Sequence, residues 1–261
     1  DADTLESMRS LATCFARAGR QVDAVPLMRD VSARTSAADA TGRTAISDLS
    51  HLGLLLWETG DPSGAERVLL DARDRLSRLK DPPKRLQAEV LTNLGLAQTG
   101  LPQEDRVVAG IGALREAVAI LESVNGEQHP LSFEGRNSLA ITLSMRKPQT
   151  AAYEREARDV LARSRVIGES LDFAPNAYFA TLNDVAVFDL DHPADGGADA
   201  RSRQLALALR TAEQAYRGLL ARSGPEDDHV LQLKGSLASM HQANGDGASA
   251  ERLLEELIAV R

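Results

Sequence analysis

The sequence predicts an all-α chain folded as a solenoid of about six helical hairpins, and three observations carry that prediction. First, hydrophobic residues fill 43% of the 261 positions while aromatic residues fill only 3%. Alanine and leucine are strong helix formers and aromatic rings favour strands, so this composition suits close-packed helices. Second, an apolar residue followed by a small one recurs at Leu11-Ala12, Leu52-Gly53, Leu94-Gly95, Leu139-Ala140, Val185-Ala186 and Leu237-Ala238. The steps between these pairs are 41, 42, 45, 46 and 52 residues. A period near forty that stretches at the loops is the signature of stacked helical hairpins. Third, the apolar residues around each pair follow the helical period rather than the alternation of a strand.

The first hairpin is expected to pair helices near 3–18 and 20–36, with Met8, Leu11, Ala12 and Phe15 as its stripe, Gly19 at the turn and Ala24 beyond it. The second, near 42–59 and 62–80, shows the physics most plainly. Leu49, Leu52, Gly53 and Leu56 stand at i, i+3, i+4 and i+7, one face of an α-helix. Gly60-Asp61-Pro62 then stops that helix, because glycine adopts positive φ at a C-cap and proline fits the first turn of the next helix. Ala65, Leu69 and Ala72 continue as one face. Small residues at Gly53, Ala65 and Ala72 let the two backbones approach, and a bulky side chain there would overpack at about 1–3 kcal/mol.

The third, fourth and fifth hairpins are expected near 84–99 with 106–124, 131–145 with 150–169, and 174–190 with 199–222, each with extra residues between its helices. The segment 191–200, with Pro193 and two glycines, reads as a surface loop inserted in the fifth hairpin. The sixth hairpin is expected near 228–243 and 247–260, through Leu237, Ala238, Gly245, Ala250, Leu254 and Leu257. The units fall near 1–40, 41–82, 83–127, 128–171, 172–225 and 226–261, and form a single solenoid domain. The chain opens on Asp1, and its last helix shows Leu253, Leu254, Leu257 and Ile258 with no following helix to cover them. The first reads as a processed product or a piece of something longer, and the second as a face covered by further chain, by a partner, or within the sixth hairpin itself.

These residues resemble the tetratricopeptide (TPR) signature, most closely in the first, second and sixth units. Lys234 and His241 depart from it where large apolar residues are preferred, and Asp189 stands where an aromatic is expected. The resemblance implies a right-handed superhelical solenoid whose first helices line a concave groove. The linkers "GEQHPLSFEGRNSLA", "DADTLESMRSLA" and "GPEDDHVLQLKGSLA" are similar to those of kinesin-light-chain-like repeats, through Gly126, His129 and Pro130 in one and Asp3-Thr4-Leu5 in another. In bacteria such repeats commonly accompany a nucleotide-binding switch domain, a protein kinase or a regulatory domain. The resemblance therefore implies a cytoplasmic protein- or peptide-binding module of a regulatory protein.

The groove-facing residues are those offset from the core stripe. In the second unit these are Ser47, Ser50, Leu54, Trp57 and Glu58. Trp57 is the only tryptophan, and reads either as a binding hot spot or as packing against the neighbouring hairpin. Asn93, Asn137 and Asn183 recur near one place in successive units, Asn93 displaced by one position. In the kinesin-light-chain-like family, equivalent asparagines hydrogen-bond the backbone of an extended peptide. An amide side chain offers both a donor and an acceptor to a peptide group; the alternative is that the asparagines bridge adjacent hairpins. Arg9, Arg17, Arg136, Ile141 and Val187 are expected to tune charge and apolar selectivity along the same surface.

Other chemistries find little support. Acidic residues number 38 against 30 basic ones, a formal charge of -8, which opposes binding to a phosphate backbone. No apolar run approaches the roughly 20 residues of a membrane span. Cys14 is the single cysteine, so no intrachain disulfide forms, and it reads as a small residue packed in or near a helix. There is no P-loop, dinucleotide fingerprint, zinc-protease helix or nucleophile elbow. The histidines at 51, 129, 192, 229 and 241 never pair at i+3 or i+4. The acidic stretch around 189–199 fails as a calcium loop because Pro193 occupies a ligand position. The expectation is no catalysis, no metal and no cofactor. The partner is a protein or peptide ligand, or another domain of the same polypeptide, with self-association possible through the C-terminal helix. Two competing readings are the sensor of a peptide-responsive transcription regulator and an oligomerisation element with an unoccupied groove.

Overall fold

The computed structural model describes residues 2–145, 151–171, 176–192 and 197–259. Among them are twelve helices and no strand. They are α1 (Ala2–Arg17), α2 (Gln21–Ala38), α3 (Arg43–Glu58), α4 (Pro62–Ser77), α5 (Lys84–Thr99) and α6 (Glu104–Asn125), followed by α7 (Pro130–Met145), α8 (Ala151–Glu169), α9 (Asn176–Asp191), α10 (Gly197–Ser223), α11 (Asp228–Ala243) and α12 (Gly247–Ala259). The all-α expectation and the pairing of helices both hold. The largest departure in a boundary is at α4, which stops at Ser77 rather than near 80. Pro82 and Pro83 follow closely, and a residue before proline is pushed out of helical geometry. In the fifth hairpin the expected 191–200 loop is shorter than its bounds: α9 runs through Asp189 to Asp191, and α10 begins at Gly197. Residues 193–196 lie outside the described residues.

The helix ends show why the hairpins form where they do. At the end of α3, Gly60 has φ 82°, which only glycine adopts without strain. That geometry lets the Asp61 N–H donate back to the Leu56 carbonyl at 2.8 Å. The Asp61 carboxylate then accepts from the Gly64 N–H at 2.8 Å and caps α4, with Pro62 in its first turn. One tripeptide therefore closes one helix and opens the next. The same backward bond recurs from Arg20 to Phe15 at 2.8 Å and from Asp246 to His241 at 2.9 Å, so the first, second and sixth hairpins turn by one device.

The chain forms two compact units, residues 1–126 and 127–261. Within each, every odd-numbered helix packs on the even-numbered one after it. Odd-numbered helices of successive hairpins also pack on one another, α3 on α5 in the first unit and α7 on α9 and α9 on α11 in the second. In the first unit Ala12, Ala24, Met28, Val31, Leu52, Leu56, Leu69 and Leu94 join one core cluster. In the second, Phe133, Tyr178, Leu182, Leu219, Val230 and Leu233 form one cluster, and Ala186, Ala208, Ala212, Leu237, Ala238 and Met240 another.

The small residue of each recurring pair is buried in all six hairpins. A Cβ added at Gly53 would lie 2.4 Å from Leu69 Cγ, so the absence of a side chain is what seats α4 on α3. The apolar partner behaves less uniformly. Leu52, Leu94, Leu139 and Leu237 are buried, whereas Leu11 is 46% exposed. Leu52 belongs to the core cluster that includes Ala24 and Met28 of the preceding hairpin. Cys14 sits in α1 but is exposed, not packed as expected. Lys234, a departure from the repeat pattern, is buried and reaches Glu256 with its Nζ at 3.1 Å.

Candidate functional site

In the second unit the faces of α7, α9 and α11 surround a cleft of about 620 Å³. On α7, Ile141, Ser144 and Met145 line it at i, i+3 and i+4. On α9, Asn183, Asp184, Val187, Phe188 and Asp191 do so over two turns, with His192 just beyond the helix end. Gln232 and Ser236 of α11 face them one turn apart, and Leu161 of α8 lies behind. The lining is therefore part aliphatic and part polar, with both kinds on α9. Three of the residues expected to face a groove, Ile141, Asn183 and Val187, meet in this one place.

The polar part of that lining holds an unusual pair. Asn183 is 6% exposed, and its side-chain oxygen Oδ1 has no hydrogen-bond partner. The reason is visible by comparison with the preceding hairpin. There Asn137 Oδ1 accepts a 2.8 Å bond from the Thr181 hydroxyl of the next first helix. Thr181 stands five residues before the small residue Ala186, and the corresponding position before Ala238 is Leu233. Leucine has no hydroxyl to give, so the oxygen of Asn183 is left unmatched.

Burial pushes the Asp184 carboxyl up from 3.8 to about 7, and the bond from Asn183 offsets only part of that. The folded chain consequently holds a proton on Asp184 over a range in which the unfolded chain has lost it, so raising the pH favours unfolding. Stability should fall as pH rises from about 4 to about 7 and level off above, by at most about 4 kcal/mol. Asp184→Asn is expected to abolish this part of the slope. Urea titrations of both proteins at pH 5 and pH 8 check it: equal pH dependence in the two would show that Asp184 is not held in a desolvated position.

The remaining predicted residues are placed elsewhere. Asn93 donates from Nδ2 to the Ser50 hydroxyl at 3.0 Å and to its carbonyl at 3.3 Å, joining α5 to α3. Asn93 and Asn137 thus bridge adjacent hairpins, the alternative that their sequence left open. Ser50 is 0% exposed and corrects the expectation of a groove-facing hydroxyl, because Asn93 covers it. Arg136 is likewise a correction. It is 1% exposed, with Nε donating to Ser164 Oγ at 2.7 Å, a terminal nitrogen donating to the Glu127 carbonyl at 2.8 Å, and its guanidinium 4.7 Å from the centre of the Phe133 ring. The long stem of arginine turned inward to α8 instead of outward.

Arg9 joins α1 to α3 through Asp48, at 2.7 and 2.9 Å. That bond and the nearby carboxylate raise the pKa of Arg9, and the charge it was expected to offer a partner is matched internally. Leu54 is half-buried, and Trp57 is half-buried against the first core cluster. Arg17 is exposed. Leu254 and Ile258 of α12 are 43% and 73% exposed. Sequence reasoning missed Asp184, Phe188 and Asp191. The available signal was their spacing at i, i+4 and i+7 on the face that begins beside Asn183.

A second cleft of about 540 Å³ lies between α8, α9 and α10 and carries Arg158, Arg165 and Arg203. Arg158 pairs with Glu154 and Asp189, and Arg165 with Glu169, so its basic groups are largely matched. Among the described residues no group of three or more His, Cys, Asp or Glu side chains could hold a metal ion. No described helix is long and apolar enough to cross a membrane.

With the fold and cleft in view, likenesses to known proteins can be placed. The tetratricopeptide repeat family profile matches residues 230–261, the sixth hairpin. No curated protein sequence matches the chain. Among solved structures the chain is similar to BtubC (BKLC) from P. vanneervenii, at 20% identity and a TM-score of 0.55, covering 93% of this chain and 90% of that one. It is similar to the assembly chaperone of RpL4 (Acl4), at 18% identity and a TM-score of 0.57, covering 98% of this chain and 89% of that one. It is also similar to the nearly identical TPR-like repeats of a kinesin-light-chain-like protein from Podosopora anserina, at 18% identity and a TM-score of 0.43, covering 98% and 94%. The first two likenesses share the fold of stacked helical hairpins. The sixth hairpin thus matches the tetratricopeptide repeat profile, and the chain shares the helical-repeat fold of BtubC and Acl4.

Proposed function

We propose that the chain is a protein-recognition scaffold that binds a segment of a partner polypeptide in the cleft between α7, α9 and α11. The observation that carries this reading is the cleft itself, where aliphatic Ile141, Met145 and Val187 stand beside polar Asn183, Asp184, Asp191, Gln232 and Ser236. The cleft also has the size and mixed lining of a site that grips a few side chains rather than a flat surface. In the scaffold fold this function needs no catalytic group, and the partner supplies the biological context.

The test is selection from a random dodecapeptide display library against the chain, repeated with an Ile141→Asp/Val187→Asp variant. Ile141 is 40% exposed and Val187 half-buried, so the variant changes the aliphatic lining more than the core. Peptides recovered on the parent are expected to bind the variant at least tenfold more weakly, roughly the loss for one apolar anchor in a desolvated pocket. Peptides that bind both proteins equally would place recognition elsewhere on the chain.

A further inference from the structure

Two surfaces of the second unit are each incomplete, and each supplies what the other lacks. The first is the groove between α8, α9 and α10. Val166 of α8 and Leu207 of α10 both line it and are 66% and 40% exposed. Of its three arginines, Arg158 lies 3.2 Å from Glu154 and 3.4 Å from Asp189, and Arg165 lies 2.9 Å from Glu169. Arg203, one turn before Leu207, has no ion-pair or hydrogen-bond partner among the described residues. The charge left over in the groove is therefore positive, beside aliphatic side chains that water now covers. An occupant that fits carries carboxylates next to aliphatic side chains. The second surface is α12, whose inner side is fixed by buried Ala250 and Leu253 and by the contact of Glu256 with Lys234 at 3.1 Å. Glu251, Leu254, Glu255 and Ile258 stand at i, i+3, i+4 and i+7 and are all exposed, Leu254 by 43% and Ile258 by 73%. That spacing sets them on one face of the helix. Neither Glu251 nor Glu255 has an ion pair among the described residues.

We infer that the chain associates with a second copy of itself, α12 of one copy lying in the groove between α8 and α10 of the other. Leu254 and Ile258 cover Val166 and Leu207, and the carboxylates of Glu251 and Glu255 come to Arg203. An amphipathic helix laid into a groove is a common mode of recognition, read through anchors at just this spacing. Here the helix is already folded and packed on α11, so docking it orders no new backbone. The opposite charges set the direction of the helix in the groove and disfavour a pairing of α12 with α12, which would bring glutamates together. One helix face is small beside the roughly 1,200–2,000 Å² of a standard interface, so the association is expected to be micromolar. Among the described residues the groove shares only Leu161 and Phe188 with the cleft between α7, α9 and α11, and both are buried. Self-association and partner recognition therefore draw on separate exposed side chains.

Sedimentation equilibrium of the full chain, from about 1 µM to about 500 µM, is the test. The mean mass of the parent is expected to rise above that of the monomer with concentration. Leu254→Asp/Ile258→Asp on α12 and Arg203→Glu/Leu207→Asp on α10 should each weaken the association at least about tenfold. All four side chains are exposed, so both variants are expected to fold, and thermal melts check that. The decisive arm mixes the two variants. One keeps an intact groove and the other an intact α12, so their equimolar mixture is expected to form a heterodimer at concentrations where each alone is monomeric. A parent that stays monomeric over the whole range overturns the proposal. So does association that Arg203→Glu/Leu207→Asp leaves unchanged, which would put α12 against another surface, and so does a mixture that behaves as the sum of its parts.

Discussion

Replacing Arg136 with alanine is expected to destabilise the chain by about 3–5 kcal/mol. The side chain is among the most deeply buried in the protein, at 1% exposure. Truncation leaves the Ser164 hydroxyl and the Glu127 carbonyl without their donor and opens a void beside Phe133. A buried polar atom stripped of its partner bears its full desolvation cost, which is why the loss exceeds that of an average hydrogen bond. Arg136→Met keeps much of the stem's volume and should fall between parent and alanine variant, separating the void from the lost bonds. Urea titration of the three proteins gives the answer. A midpoint for Arg136→Ala within error of the parent, with weakened peptide binding, would return Arg136 to the outward-facing role its sequence position suggested.

The contrast between Arg136 and Asn183 shows where sequence reading loses its grip. Helices and turns are local, and every device that sets them is written within a few residues: Gly60, Asp61 and Pro62 close α3 and open α4 without help from elsewhere. The small residue at each helix crossing is also legible, because a repeat imposes the same crossing in each unit. Which polar atom meets which is different. Asn137 is satisfied by Thr181, 44 residues away, and Asn93 by Ser50, 43 residues away. Those matches depend on the register between hairpins, and the spacing of the units drifts from 41 to 52 residues along the chain. A one-position shift turns a helical side chain by about 100°, enough to exchange a bridging role for an exposed one. The three asparagines recur near one place in successive units, yet two close bridges and the third is left open by one leucine. Arg136, adjacent to Asn137, was misplaced for a second reason: a long flexible stem can carry its charge inward toward a hydroxyl on another helix, which periodicity cannot register.

The closest approach of two helices supplies the other large effect. A Cβ built on Gly110 of α6 would lie 2.7 Å from the backbone oxygen of Gly95 on α5, with Thr99 Cγ2 at 2.8 Å and Gln98 Cβ at 3.0 Å. The relation is reciprocal, since a Cβ on Gly95 would lie 2.8 Å from the oxygen of Gly110. Gly95 was legible as the small residue of its repeat; Gly110 was not, because the longer turn of the third hairpin shifts it from the position that Ala65 holds in the second. Two effects compete in Gly110→Ala. Alanine improves helix propensity by about 1 kcal/mol, while the clash forces α5 and α6 apart. The obstructing atom is a carbonyl oxygen fixed in a helix, not a side chain that can rotate away, so the clash dominates and a net loss of about 2–3 kcal/mol is expected. Gly112, two residues along the same helix, meets nothing within 4 Å and is exposed. Gly112→Ala therefore keeps only the propensity gain and should stabilise by about 0.5–1 kcal/mol. Thermal and urea unfolding of the two variants should move in opposite directions. If both became more stable, the close crossing of α5 and α6 would be wrong, and with it the reason for a glycine at each side of that contact.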